Sequence, residues 1–509
     1  MTDVLGGIIG QAHAGPDLLA LKDQERQLTY SQLIDEVGHT ASGLLTRGVA
    51  KGDRVALLLP NSVDFVVAAL ASLWIGAIFV PLATTDPRVR LDAMLVDSAP
   101  TVVITVGTPN AEDENGQSIS GPSFIPFSTL VMEEDEVSPP VLETPRPVYS
   151  MYTSGTTGAP KGVLIGDVAF FAAVQATSKV LGLDRTTRTL CVSPFYFDGS
   201  FATLFPTLWS GGLVVIRPFS LLWARTFFDT VIDEQITYTG FSPSFLRLLL
   251  ASPQMSKLSK SPIDVIALGG EACSVNDIQT LWSYAPTIRV FNRYGPTETT
   301  IVVSHQHLTQ EIVAEGIAPI GLPHPGTTFH LVGEDGVVIE ESDDVGELYI
   351  GGVQLMDGYW GAPVLSREVL RKDVIAGTTV YRTGDLMYRD HHGDFVYVDR
   401  ANRVINRHGL RISLVEVSEA IRGLPHVDSA ACIMFDNEGD VGIAAFVATN
   451  ESTTSVELRR AALERLPEAM LPDRFEIVNA LPMNKSNKLD ELLLLAGADL
   501  SPLNPLQHT

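Results

Sequence analysis

The chain has 509 residues, 45% of them hydrophobic and 19% charged, too many for one core, so at least two globular domains are expected. The formal net charge of −25 excludes a basic nucleic-acid-binding face. Cys191, Cys273 and Cys432 are widely spaced with no CxxC pair, and MTDVLGGIIG carries no basic region, so the sequence predicts a cytoplasmic protein without disulfide framework, zinc site or secretory signal.

In chain order, RVALLLP (54–60) is the first near-continuous apolar run and predicts a buried strand. Residues 65–82, FVVAALASLWIGAIFVPL, are uncharged over a membrane-spanning length. Their small residues, Gly76, Pro81 and the flanking Asp64 and Asp86 favour a buried helix running into a core strand instead. PTVVITV (100–106) is another strand. Residues 107–148, with AEDENGQ, MEEDEVSPP and ETPRP, form an acidic, Gly- and Pro-rich surface connection. GLVVIRP (212–218), IDVIALGG (263–270) and IRVFNRYG (288–295) predict further strands, covered by helices on both faces. After about residue 400 a small α+β unit follows. ISLVEVSEAIRGL and VELRRAALERL are amphipathic, SAACIMF and VGIAAFVAT are strand-like, and SPLNPLQHT is a tail. The fold class is α/β and α+β. A large domain of layered sheets and helices spans residues 1–399, and a small α+β domain spans 400–509.

One segment carries evident chemistry: Tyr152-Thr153-Ser154-Gly155-Thr156-Thr157-Gly158-Ala159-Pro160-Lys161-Gly162. Its glycines let backbone N–H groups approach an anion, and its hydroxyls and lysine add donors and charge, as a polyphosphate requires. The GxxxxGK[ST] spacing of a Walker A loop is absent. An ordinary Ser/Thr/Gly surface loop is the plain alternative, and the segments below argue against it.

With five further segments, the chain resembles the superfamily of acyl-CoA synthetases, nonribosomal peptide synthetase adenylation domains and luciferases. The loop above resembles that family's phosphate loop. Arg293-Tyr294-Gly295-Pro296-Thr297-Glu298-Thr299-Thr300 resembles its YGPTE motif. Gly346-Glu347-Leu348-Tyr349-Ile350-Gly351-Gly352 and Tyr381-Arg382-Thr383-Gly384-Asp385-Leu386 resemble two more. Asp399-Arg400 through Arg411-Ile412 resembles the hinge, and Leu481-Pro482 through Lys488-Leu489-Asp490 the C-terminal lysine motif. The matches run in family order from about residue 150 to 490.

The resemblance implies ATP and Mg2+ as cofactors and assigns roles. Thr153, Ser154, Gly155, Thr156, Thr157, Gly158 and Lys161 would hold phosphates. Glu298 would hold Mg2+, a hard cation that takes carboxylate oxygen. Thr297 would donate to the α-phosphate. Tyr294 would stack on adenine against Gly269, Gly270 and Glu271, and Asn292 would read the base amino group. Asp385 would accept both ribose hydroxyls. Tyr397 and Arg400 would close over the nucleotide. Lys488 would neutralise charge as pyrophosphate leaves, brought in by a mobile small domain. Asn402 stands where the family has a hinge acid, Asp399 where it has glycine, and Lys485-Ser486-Asn487 where Asn-Gly usually precedes the lysine.

For the acid to be activated, Phe197-Asp198-Gly199-Ser200 resembles the segment opening the amino-acid pocket of peptide synthetase domains, where the aspartate pairs with the substrate ammonium. A helix cap is the alternative role for Asp198. Carried across, the pocket comprises Asp198, Gly199, Ala202, Gly240, Ile266, Leu268, Arg293, Ile301 and Val302, with Lys488. Arg293 suits a second substrate carboxylate; a structural ion pair with Glu271 is the equal alternative. The run FDGSF-x-TLFPTL is similar to stand-alone enzymes that load β-amino acids for macrolactam polyketides, pointing to aspartate, 3-methylaspartate or another β-amino acid. Nineteen residues follow Asp490, too few for a carrier domain, so the expected partner is a discrete acyl or peptidyl carrier protein with a phosphopantetheine thiol. An acyl-CoA ligase, a D-alanine-type carrier protein ligase and a non-catalytic nucleotide binder are the competing functions; no nucleic-acid or membrane partner is expected.

Overall fold

The structure is a computed structural model that describes residues 3–86, 88–107, 122–131, 138, 143–154, 160–217, 223–341, 344–400, 404–407, 410–437, 440–466, 470–484 and 489–501. The chain divides into two compact units. Met1–His330, Tyr349–Thr383 and Asp390–Val396 form the first; Leu331–Leu348, Gly384–Arg389 and Tyr397–Thr509 form the second. A cut at residue 399 assigns Leu331–Leu348 and Gly384–Arg389 to the large domain. The contacts instead group them with the C-terminal part, because Thr327–Val332, Gly346–Gly352 and Thr378–Arg389 each run from one unit into the other.

In the first unit, an eight-stranded sheet runs in the order Ser304–Leu308, Arg289–Tyr294, Val265–Gly269, Tyr238–Phe241, Arg188–Cys191, Leu213–Ile216, Leu19–Lys22, Gln27–Thr29. Its central pairs are parallel and its outer pairs antiparallel. Their Val-, Ile- and Leu-rich runs fit burial on both faces. A seven-stranded sheet includes Pro147–Ser154, Pro160–Gly166, Ile78–Pro81, Arg54–Leu58 and Val102–Thr105. The runs RVALLLP, PTVVITV, GLVVIRP, IDVIALGG and IRVFNRYG all form strands, as expected. Within the expected surface connection, Ser123–Pro126 forms an edge strand parallel to Val102–Thr105, with Ile125 its buried residue.

The long apolar segment becomes the helix Val63–Trp74, capped by the Ser62 hydroxyl at 3.2 Å from the Phe65 N–H, and then the strand Ile78–Pro81. Eleven of the helix's twelve residues are buried, so an all-round apolar helix lies inside a core. Gly76 turns the chain at φ +75° between the two elements. No helix among the described residues is long and apolar enough to cross a membrane.

In the second unit, Val427–Asn437 pairs antiparallel with Asp440–Thr449, which pairs parallel with Arg474–Val478. Strand alternation sends Ile443, Ala445 and Val447 toward Val417, Ile421 and Leu458 of the helices Leu414–Arg422 and Ser455–Ala462. Ala444 and Phe446 meet Leu494 and Leu495 of the helix Glu491–Gly497 on the other face. The small α+β pattern expected after residue 400 is therefore present.

Candidate active site

Strand register places Arg293. It pairs with Gly269 on one side and His305 on the other, and Gly240 pairs with Ala267 one strand further. Paired residues share a sheet face, so Gly240, Ala267, Gly269, Arg293 and His305 lie on one side. The Arg293 side chain runs across the two glycines. A Cβ on Gly269 would lie 2.5 Å from Arg293 Cγ, and one on Gly240 would lie 2.8 Å from Nη1. Both positions must therefore be glycine for the arginine to lie there.

Two of the expected pocket residues lie on the sheet face opposite Arg293. Ile266 and Leu268 face away, into the core with Phe241, Phe245 and Ile278. Ala267 and Gly269 occupy the Arg293 face in their place. In a strand, a shift of one residue moves every side chain to the other face.

The expected alternative partner of Arg293 is also engaged elsewhere. Glu271 accepts from the Ser244 N–H at 3.0 Å and from its hydroxyl, and lies 3.7 Å from Arg247. Arg293 is buried, its Nη1 has no hydrogen-bond partner, and no ion pair reaches it among the described residues. Its charge is nevertheless felt at Asp198, Cys191, Tyr238 and His305.

Asp198 opens the short turn Asp198–Ser200 ahead of the helix Phe201–Trp209, after the half-buried Phe197. Neither element has a side-chain cap, which removes the helix-cap role. The residue as a whole is half-buried, but its Oδ2 is sealed from solvent without a partner. Burial pushes the carboxyl up to about 6; Glu298 adds repulsion, while Thr297, the Gly199 N–H and Arg293 favour the charged form. A Cβ on Gly199 would meet nothing within 4 Å, so space opens beside the carboxylate.

Ala202 on the helix, Ile301 and Val302 share the adjoining apolar cluster. Thr300 and Ile301 adopt φ of +61° and +72°, a strained conformation for β-branched residues. Gln354 braces them. Its backbone carbonyl accepts from Thr300 Oγ1 at 2.7 Å, and its Nε2 donates to the Val302 carbonyl at 2.8 Å and the Thr300 carbonyl at 3.4 Å. Those bonds orient the amide, so Gln354 Oε1 accepts from His324 Nδ1 at 3.1 Å. Burial lowers His324 to about 4, so the ring is neutral and its Nε2 accepts from His305 Nδ1 at 2.8 Å. His305, itself held neutral by burial, is left with a buried, unpartnered Nε2.

Toward the side expected to face a nucleotide, the turn Thr297–Thr299 carries Thr297 and the half-buried Glu298. Tyr359 donates to Glu298 Oε1, and Lys161 Nζ lies 5.7 Å over the Tyr359 ring. Asn292 Nδ2 donates to the Ala318 and Pro319 carbonyls at 2.9 Å each, leaving Oδ1 as acceptor, with the Cys273 thiol at 3.1 Å. Tyr294 is half-buried on the same face as Asn292, opposite Arg293. Gly270, with φ +84°, turns the chain out of Val265–Gly269.

Thr153 and Ser154 end the strand Pro147–Ser154, paired with Lys161 and Pro160. Gly155, Thr156, Thr157 and Gly158 lie outside the described residues, as do Asn402 and Lys488. Asp385, buried, and Tyr397, half-buried, belong to the second unit, and Arg400 ends the strand Phe395–Arg400. Sequence reading did not single out Ala267, Tyr359 or the His305–His324–Gln354 relay. Only strand parity could have signalled Ala267; the others depend on contacts between distant segments.

Comparison with known proteins bears on the family and the fold. A family model described as "AMP-binding enzyme" matches residues 10–360, and one described as "AMP-binding enzyme C-terminal domain" matches 416–488. The chain is 30% identical to the dimodular nonribosomal peptide synthase of Bacillus subtilis (strain 168) over 96% of its own length and 21% of that protein. It thus spans only a small part of the curated relatives it matches. The ATP-bound structure of MatB from Rhodopseudomonas palustris superposes with a TM-score of 0.86 at 19% identity, covering 97% of this chain and 98% of that one. A four-domain nonribosomal peptide synthetase, holo-AB3403 bound to AMP and glycine, gives 0.84 at 24%, covering 96% of this chain and 36% of that one. At these identities the structural likenesses establish the fold.

Proposed function

Because the chain belongs to the family of AMP-binding enzymes, we propose that it joins an amino acid to AMP from ATP and transfers it as a thioester to a discrete carrier protein. The observation that carries the amino-acid assignment is Asp198, whose sealed Oδ2 has no partner beside the open space at Gly199. A substrate ammonium would supply the missing counter-charge. The fatty or acetyl group of an acyl-CoA ligase substrate would leave that carboxylate unsatisfied.

The Glu298 side chain fits a resident Mg2+. Tyr359 holds one of its oxygens, and its negative charge disfavours ionisation of Asp198 and Tyr359, so the locale favours a hard cation. When bound, Mg2+ would neutralise phosphate charge. Thr297 would donate to the α-phosphate, Asn292 Oδ1 would accept from the adenine amino group, and Asp385 would receive the ribose hydroxyls. Lys488, in the small domain 400–509, would stabilise the leaving pyrophosphate. Arg293 selects an amino dicarboxylate of the aspartate or 3-methylaspartate kind, a reading supported by its burial with no ion pair among the described residues. A cytoplasmic, antibiotic-type polyketide pathway would use such a product.

The test is pyrophosphate exchange with a panel of α- and β-amino acids and their amine-free acids. Exchange that requires the amine supports the reading; preference for an amine-free acid would refute it. Loading of a separate holo-carrier protein, followed by mass, tests the second half-reaction.

A further inference from the structure

The loop that follows the strand Thr378–Arg389 reads Asp390-His391-His392-Gly393-Asp394 and sets two imidazoles side by side at the surface. Neighbouring residues of a strand point to opposite faces, so the turn is what brings them together. Asp390 builds that turn. Its N–H donates to the Asp394 carbonyl and its carbonyl accepts from the Gly393 N–H, each at 2.9 Å. Its Oδ1 accepts from the His392 and Asp394 N–H groups, also at 2.9 Å. Gly393 completes the reversal at φ +86°. The His391 and His392 ring centroids then lie 3.9 Å apart.

A third side chain joins them from a distant part of the chain. Glu315 follows the helix Gln310–Ala314, which is anchored by the buried Val313, and its Oε1 lies 3.4 Å from His392 Nε2. The backbone fixes this approach: the Ile320 N–H donates to the Phe395 carbonyl at 2.7 Å, and Gly321 bridges to Phe395. Both segments belong to the first unit. One nitrogen of each ring and one carboxylate oxygen of Glu315 all lie within 4.8 Å of one another, and all three side chains are exposed.

We propose that Glu315, His391 and His392 form a surface site for a divalent transition metal of the zinc class, separate from the Mg2+ site proposed at Glu298. Two imidazoles and a carboxylate are donors that such ions take, whereas Mg2+ prefers oxygen alone. At zinc bond lengths of about 2.0–2.1 Å, two ligands of a tetrahedral ion stand about 3.3–3.4 Å apart. His392 Nε2 and Glu315 Oε1 already hold that separation. His391, exposed on the turn, closes the remaining distance by side-chain rotation. A simple ion pair between His392 and Glu315 would give His391 no role, and exposed pairs of that kind contribute little. The bound ion ties the loop after Gln310–Ala314 to the turn at Asp390.

The experiment titrates Zn2+ into untagged, chelator-stripped protein by calorimetry, with the visible absorption of Co2+ as a second readout. It compares wild type, His391→Ala, His392→Ala, Glu315→Gln and the double variant His391→Ala/His392→Ala. Wild type should bind a single Zn2+ per chain and gain Tm on its addition. Each single variant should weaken binding at least about 10-fold, since residues that only orient a metal ligand are already worth that much. The double variant should lose the bound ion, the Co2+ absorption and the Tm gain. Without metal, every variant should match wild type in Tm, because the three side chains are exposed. No Zn2+ uptake by wild type, or binding unchanged in the double variant, would overturn the site. Binding lost in the histidine variants but unchanged in Glu315→Gln would overturn the three-ligand arrangement.

Discussion

The Tyr359 hydroxyl donates to Glu298 Oε1 across 2.7 Å, tying the short strand Gly358–Tyr359 to the turn Thr297–Thr299. Burial, then the Glu298 charge, raises the phenol far above its usual range, so it stays a donor at any working pH. One carboxylate oxygen is thus oriented by the protein and the other remains for a cation. Tyr359→Phe removes this support without touching the cation. The concentration of Mg2+ giving half-maximal exchange should rise about 10-fold, as for other residues that orient a metal ligand. Saturating Mg2+ should recover most of kcat. A Mg2+ dependence identical to wild type would show that the hydrogen bond does not tune the site.

Asp198→Asn should separate stability from function. The folded pKa of about 6 lies above the ordinary carboxyl value of 3.8, so stability from protonation is present below pH 3.8 and lost as pH rises through 6. At pH 7 the wild type carries a buried, partly uncompensated charge that asparagine lacks. The variant should therefore be more stable at pH 7 by on the order of 1–3 kcal/mol, since each pKa unit corresponds to about 1.4 kcal/mol. The gain should vanish toward pH 4, and amino-acid activation should be lost. Wild-type kcat/KM should fall below about pH 6 as the ammonium anchor is neutralised. A less stable variant at pH 7 would contradict the assignment of an uncompensated charge.

The fold was legible because its strands are nearly unbroken apolar runs. RVALLLP and IDVIALGG could hardly be anything but buried, and they form Arg54–Leu58 and Val265–Gly269. The segment 65–82 was legible because Gly76 and Pro81 punctuate it. Asp198 and Arg293 were legible from their motifs. Side-chain direction was harder. Ile266 and Leu268 carry the same apolar signal as pocket residues would, and only the pairing of Gly269 with Arg293 fixes which parity faces the arginine. Gln354 and His324 gave no signal, because their importance comes from bridging to Thr300, Val302 and His305 across the chain.

The histidine relay predicts an acid-sensitive site. His324 is lowered from 6.5 to about 4, and His305 is held well below its ordinary value, both chiefly by burial. A depressed histidine contributes stability that is present above its unfolded value and lost as pH falls through the folded one. Tm should therefore fall between about pH 6.5 and 4 beyond what the carboxylates cause, and His324→Asn should flatten that limb. Nitrogen NMR should find His305 protonated on Nδ1 at pH 7. A proton on Nε2 would refute the relay as drawn.

Lys488→Ala should lower adenylation at least about 100-fold while sparing ATP binding, because one contact made in the transition state is lost. Thioester formation from preformed acyl-adenylate should be far less affected. Near-normal adenylation by the variant would remove Lys488 from the proposed chemistry.

Arg293→Leu carries the most risk. The guanidinium lies across Gly269 and Gly240, buried, with Glu271 committed to Ser244 and Arg247. A buried cation without a counter-ion is unfavourable by several kcal/mol, so removing it should not harm the fold. Tm should hold or rise. If a substrate carboxylate is the missing partner, kcat/KM for aspartate should fall by about 2–5 kcal/mol in apparent barrier. Activity on an apolar amino acid should hold or rise, because leucine fills the same path with apolar surface. The preference between the two should therefore vanish or reverse. If the arginine instead serves a protein group, the variant should lose Tm and lose activity on every substrate alike. An unchanged substrate ranking in a folded variant would leave adenylation intact and remove the dicarboxylate from the proposal.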